Sequence, residues 1–95
     1  MYVTVRRYTA DAAFADELVK RRADVESLIR GVPGFRAYYL AKTEDGAVTI
    51  TVCDDRAGTE ESTRRAGAYV RENLSQFAGT PPQVSSGEVL IDLAR

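Results

Sequence analysis

The chain has 95 residues, 44% of them apolar and 28% charged, with a formal net charge of −1 and a pI of about 5.4; this is the composition of one globular domain, with no electrostatic footprint for nucleic acid. It contains no histidine, no tryptophan and a single cysteine, Cys53, which excludes an imidazole base, Ser-His and Cys-His nucleophile pairs, histidine-ligated haem or metal and any internal disulfide. No apolar run reaches the ~18 residues of a membrane span and the first residues are strand-like rather than a signal peptide, so the expectation is a soluble cytoplasmic protein with no cofactor, no metal and no membrane or nucleic-acid partner.

Residues 2–8 alternate, Val3 and Val5 against Tyr2, Thr4, Arg6 and Tyr8, and predict a first strand. Thr9 can cap a helix running from about Ala10 to Arg30, with Asp11 in its first turn. Phe14, Leu18, Val25, Leu28 and Ile29 form its apolar stripe, provided the helix breaks near Arg21. Gly31 and Pro33 stop it.

The stretch from Gly31 to Asp55 reads as a β-hairpin. Two runs of strand-favouring residues, Phe35 to Lys42 and Val48 to Cys53, flank Thr43-Glu44-Asp45-Gly46. A two-residue Asp45-Gly46 turn pairs Ala41 with Ile50 and Tyr39 with Val52. A three-residue loop with a bulge at Gly46 pairs Leu40 with Ile50 and Tyr38 with Val52, and is preferred because it puts Leu40 inside. In either register Tyr38 and Tyr39 point to opposite faces of the sheet.

A second helix is expected to start between Arg56 and Thr59, with Thr59 the better cap, and to end near Leu74 or Phe77. Ser62, Ala66, Tyr69, Val70, Asn73 and Leu74 would be its inward face. Ala78 to Ser86, with Pro81 and Pro82, reads as loop, and Gly87 to Leu93 as a last strand. The order βαββαβ predicts a ferredoxin-like α+β domain, a four-stranded antiparallel sheet with two helices on one face. On this reading Val3, Val5, Ile50, Val52, Val89 and Ile91 lie under the helices. The other face, with Tyr2, Thr4, Tyr8, Thr49, Thr51, Cys53 and Leu90, is too aromatic to be simply solvated and predicts a homodimer.

The element order, the Val32-Pro33-Gly34-Phe35 entry into the hairpin and a strand ending at Asp54-Asp55 resemble the antibiotic biosynthesis monooxygenase-like family of dimeric α+β barrels, over nearly the whole chain. The resemblance implies two sheets facing each other across a dimer. Among the activities it implies are cofactor-free oxidation of aromatic polyketides and degradation of haem. It also implies a pocket between sheet and helices, which the oxidising members line with tryptophan, asparagine, arginine or tyrosine.

Candidate substrate-binding residues are Tyr38, Tyr39, Tyr69 and Asn73. Tyr69 and Asn73 lie one helical turn apart and can present a phenol and an amide to a cleft that one of the hairpin tyrosines enters; packing for Tyr69 and a helix-end hydrogen bond for Asn73 is the plainer account. Cys53 beside Asp54 and Asp55 reads as structural, since adjacent negative charge disfavours a thiolate. The helix charges recur in pairs four apart, Asp16-Lys20, Glu17-Arg21, Glu26-Arg30, Glu60-Arg64 and Glu61-Arg65, the pattern of solvated helix faces. Two functional readings follow. One is a cofactor-independent monooxygenase of a small aromatic substrate, which requires an apolar pocket and donors that stabilise an enolate. The other is a non-catalytic ligand-binding or stress-associated dimeric module, supported by the missing histidine base and tryptophan wall. An enclosed pocket of ~300 Å³ or more lined by these groups keeps the first alive, and a space between sheet and helices filled by Phe14, Tyr69 and Leu74 removes it.

Overall fold

A computed structural model describes residues 1–9 and 11–95, in the order β1 (Tyr2–Tyr8), α1 (Ala13–Lys20), α2 (Arg22–Arg30), β2 (Phe35–Thr43), β3 (Gly46–Cys53), α3 (Arg56–Asn73), a 3₁₀ turn (Ser75–Phe77) and β4 (Gln83–Glu88). The strands form one antiparallel sheet in the order β2-β3-β1-β4, and the helices pack on one face of it. This is the ferredoxin-like α+β plan.

The first helical region is two helices. The stripe that buries Phe14 and Leu18, then Val25 and Ile29, would next bury position 21 or 22, and both are arginine. The chain therefore turns at Arg21, whose amide is shared between the carbonyls of Glu17 and Leu18. The expected start at Ala10 lies outside the described residues. Thr9 is not the N-cap of α1: that position is Ala12, without a side-chain cap, and Asp11 just before it accepts from the Ala13 amide through Oδ1 at 2.8 Å. Likewise Asp55, not Thr59, caps α3, accepting from the Gly58 amide at 3.0 Å, while the Thr59 hydroxyl donates to the Arg56 carbonyl at 2.7 Å.

The hairpin takes neither expected register. Thr43 pairs with Gly46, so the loop is Glu44-Asp45, and Leu40, Tyr39 and Tyr38 face Thr49, Ile50 and Thr51. Gly46 belongs to β3 rather than to the turn, and it is the close approach to β1 that requires glycine there, since a Cβ would collide with the Tyr8 carbonyl. At the other end Gly34 is left-handed, φ 74°, and its carbonyl accepts from the Asp54 amide at 2.8 Å, tying the entry of β2 to the exit of β3. Arg36 interrupts the register between Phe35 and Ala37 as a bulge.

The faces of the sheet are the reverse of those expected. Thr4, Arg6, Tyr8, Ala47, Thr49, Thr51 and Cys53 are buried under the helices, and the alternate Val3, Val5, Val48, Ile50 and Val52 are only half-buried on the open face. The period was legible but not its direction, because Thr and Val fit a strand equally well. Hydroxyls are needed inside to serve Arg6. The last strand also lies earlier than expected: β4 pairs Glu88 with Tyr2, and Val89 donates to the Met1 carbonyl just beyond the end of the strand. Leu90, Ile91 and Leu93 are accordingly 80–91% exposed. The core comprises Tyr8, Phe14, Leu18, Val25, Ile29 and Leu74 with Ala15 and Ala47, and the ring of Phe14 lies 4.5 Å from Tyr8 and 5.2 Å from Phe77.

Candidate functional site

Arg6 lies in the middle of β1 on the helix side and is 1% exposed. A buried guanidinium ordinarily meets a carboxylate, yet none of the ion pairs among the described residues includes Arg6. Its partners are four hydroxyls. Nε donates to Thr49 Oγ1 at 3.1 Å, Nη2 to Thr51 Oγ1 at 2.7 Å, and Nη1 to Ser62 Oγ at 3.1 Å and Thr63 Oγ1 at 3.0 Å. Ser62 in turn donates to the Thr59 carbonyl at 2.7 Å, so one side chain ties β1 to β3 and α3. No buried side-chain polar atom among the described residues lacks a partner; the hydrogen bonds are complete while the charge is unbalanced.

Around Arg6 lies a residual cavity of about 30 Å³, lined by Tyr8, Tyr38, Thr49 and Tyr69 with apolar residues of α1, α2 and α3. Burial pushes the Tyr38 phenol up to about 12. Burial likewise raises the Tyr8 phenol, with the Arg6 charge pulling the other way. Both are neutral donors at physiological pH.

A larger space opens on the far side of the same wall. The groove between the α1–α2 pair and the edge strand β2 has a volume of about 630 Å³, with Phe35, Tyr38, Tyr39 and Leu40 along one side and Arg22, Arg30 and Arg36 among its polar groups. Leu18, Val25, Ile29 and Tyr38 line both the groove and the inner cavity.

The four sequence-derived candidates are distributed between these spaces. Tyr38 faces the helices and borders both. Tyr39 points to the open face, is 62% exposed and reaches the groove at the strand edge. Tyr69 borders the inner cavity, with its hydroxyl donating to Asp24 Oδ2 at 3.1 Å. Asn73 borders neither; its Nδ2 donates to the Tyr69 carbonyl at 3.2 Å. Sequence reasoning did not single out Arg6. The available signal was a charged residue at an alternate position of a strand whose same-parity neighbours, Thr4 and Tyr8, turn inward.

Cys53 is fully buried, and desolvation, then Asp55 and Asp54, raise its thiol, which disfavours the thiolate that a nucleophile needs. Among the expected helix pairs only Glu61-Arg65 forms. Glu61 also takes Arg64, Glu26 takes Arg22, Glu60 takes Arg56 and Glu17 takes Lys20, whereas Asp16 reaches Lys42 on β2. Among the described residues no cluster of three acidic, cysteine or histidine residues could hold a metal, and no helix is long and apolar enough to cross a membrane.

No family model and no curated protein matches the chain. Solved structures do. NE2512, a protein of unknown function from Nitrosomonas europaea, superposes with a TM-score of 0.72 at 20% identity, covering 99% of this chain and 92% of that one. The ActVA-Orf6 monooxygenase of Streptomyces coelicolor in complex with nanaomycin D gives 0.67 at 21% identity, over 99% and 90%. The haem degrader MhuD of Mycobacterium tuberculosis, with two haems in its active site, gives 0.63 at 20% identity, over 99% and 100%. The chain shares with these proteins the ferredoxin-like α+β fold, monooxygenases among them.

Proposed function

We propose that the chain is a homodimer whose protomers each bind a small aromatic molecule in the groove between the α1–α2 pair and β2. The groove carries this reading: about 630 Å³ lies within the ~300–1,000 Å³ of small-molecule sites. Phe35 and Tyr38 offer a ring-stacking wall, and Arg22, Arg30 and Arg36 at the groove suit an electron-rich or acidic ligand. The dimer is supported by the open sheet face, where Val3, Val5, Val48, Ile50 and Val52 form a continuous half-buried apolar surface. Calorimetric titration with anthrone-like phenols tests the binding. One site per protomer, weakened in Tyr38→Ala, is the expected result; no heat across the series at millimolar ligand refutes it.

A second reading, a cofactor-independent monooxygenase acting on the same aromatic ligand, is favoured by one observation, the buried Arg6 cation beside the Tyr8 and Tyr38 phenols. Such donors stabilise an enolate oxygen. Tyr38 and Tyr39 would then orient the substrate from the groove and Tyr69 from the inner cavity, with Asn73 pinning the last turn of α3 beneath Tyr69. Against it, Phe14 and Leu74 fill the space between sheet and helices and leave about 30 Å³, which favours a non-catalytic ligand-binding module. Oxygen uptake with the same phenols separates the two. Uptake that falls in Tyr69→Phe supports the oxygenase, and binding without uptake supports the module. Histidine-ligated haem chemistry is not carried over, since the chain has no histidine.

A further inference from the structure

We infer that Arg6 makes the groove selective for acidic phenols and enols taken up as their anions, an inference that rests on the groove's binding an aromatic ligand. Four N–H groups of this guanidinium are spent on neutral hydroxyl oxygens, which satisfies its geometry but leaves a net positive charge in the interior. The cavity beside it, about 30 Å³, has the volume of one water-sized group. A single ligand oxygen fits there. Thr49, Tyr8 and Tyr38 border that space and each carries a hydroxyl able to donate to an anion.

The rest of the ligand has its place in the groove. Leu18, Val25, Ile29 and Tyr38 face both spaces, so a rotamer change at Tyr38 joins them and lets a ring in the groove present its oxygen to Arg6. The O–H bond of the ligand breaks in solution, its proton goes to bulk water, and the phenolate oxygen enters the cavity. No protein base is involved, which suits a chain without histidine. Burial raises a phenol, as it does Tyr8 and Tyr38 here, whereas an opposite charge within ~4–6 Å lowers the pKa of an acid by ~1–3 units; for a ligand oxygen seated against the guanidinium itself the second effect must win, so that the bound phenol is ionised at a pH where the free one is not. Arg22 and Arg36 are poor substitutes, since Glu26 and Asp54 already pair with them at the surface; Arg30, also at the groove and in none of the ion pairs among the described residues, is exposed, so its pull on an anion is the part that salt screens.

The test uses 4-nitrophenol, whose phenolate absorbs visible light, bound to the full chain and titrated with pH. The bound probe should ionise about one pH unit or more below the free probe, a tenfold or greater preference for the anion. The shift should persist at ~1 M salt, where exposed charges are screened over ~3 Å. Arg6→Met should abolish it, and Arg6→Lys, which keeps the charge, should retain part of it. Binding with no shift, a shift lost in salt, or a shift intact in Arg6→Met overturns the role of Arg6 and leaves the groove reading standing. No binding at all overturns both. The salt series uses the unmodified protein and decides the matter even if the Arg6 variants do not fold.

Discussion

Replacing Ile50 with aspartate should split the dimer without unfolding the protomer. Ile50 is the centre of the open face, with Val5 beside it on β1 and Tyr39 beside it on β2. In the single protomer it is only half-buried, so a carboxylate there can stay hydrated and the strand loses little. In the proposed face-to-face dimer the same position is covered. Completing the burial of a half-exposed isoleucine contributes about 1 kcal/mol per protomer, and desolvating a carboxylate costs several kcal/mol. Two symmetry-related sites change together. The loss is then no less than about 4 kcal/mol per dimer, roughly a thousandfold in dissociation constant. Light scattering during gel filtration at micromolar concentration reads the mass, and far-ultraviolet circular dichroism shows that the variant is folded. If unmodified protein runs as a monomer, or folded Ile50→Asp keeps the dimer mass, the open face is not the interface.

Two further outcomes are expected. Gly46→Ala places a methyl group against the Tyr8 carbonyl and should cost about 1–3 kcal/mol in urea unfolding; an unchanged midpoint would contradict the close approach of β3 to the end of β1. Glu61 is held down to about 2 from its ordinary 4.5 by hydrogen bonds from Arg64 and Arg65. The folded state therefore favours the ionised form, so its contribution to stability is complete above pH 4.5 and is lost as the pH falls toward 2. Thermal unfolding of Glu61→Gln should show a shallower decline across that window, and superimposable profiles would remove Glu61 from the acid sensitivity.

The element order, the break at Arg21 and the hairpin were legible because each has a local cause: an apolar stripe interrupted by two arginines, a glycine-proline stop, an Asp-Gly turn signal. The sheet faces were not, since alternation gives the period of a strand and leaves its direction to tertiary partners. Here the deciding partner is Arg6, which draws Thr49, Thr51, Ser62 and Thr63 inward and so sends the valines of β1 and β3 outward. A second long-range contact hid the hairpin register, because Gly46 answers to Tyr8, far away in sequence. Of the candidate site, Tyr38 and Tyr69 could be read from aromatic placement. The groove could not, because it arises from the separation between two elements, the α1–α2 pair and β2, that no local pattern encodes.

The bulge at Arg36 bears on how copies of this chain can grow. A sheet with an apolar face and free edges at β2 and β4 has two routes to self-association, and they differ in symmetry. Face against face closes after two copies. Edge against edge repeats without end and leads to fibres. Along β2 the bulge breaks the regular row of backbone donors and acceptors, and Lys42 with Asp16 places a charged pair near its far end. Pro81 and Pro82 stand directly before β4. The open-ended route is thereby obstructed at both margins, leaving the closed pair as the outlet for the apolar surface.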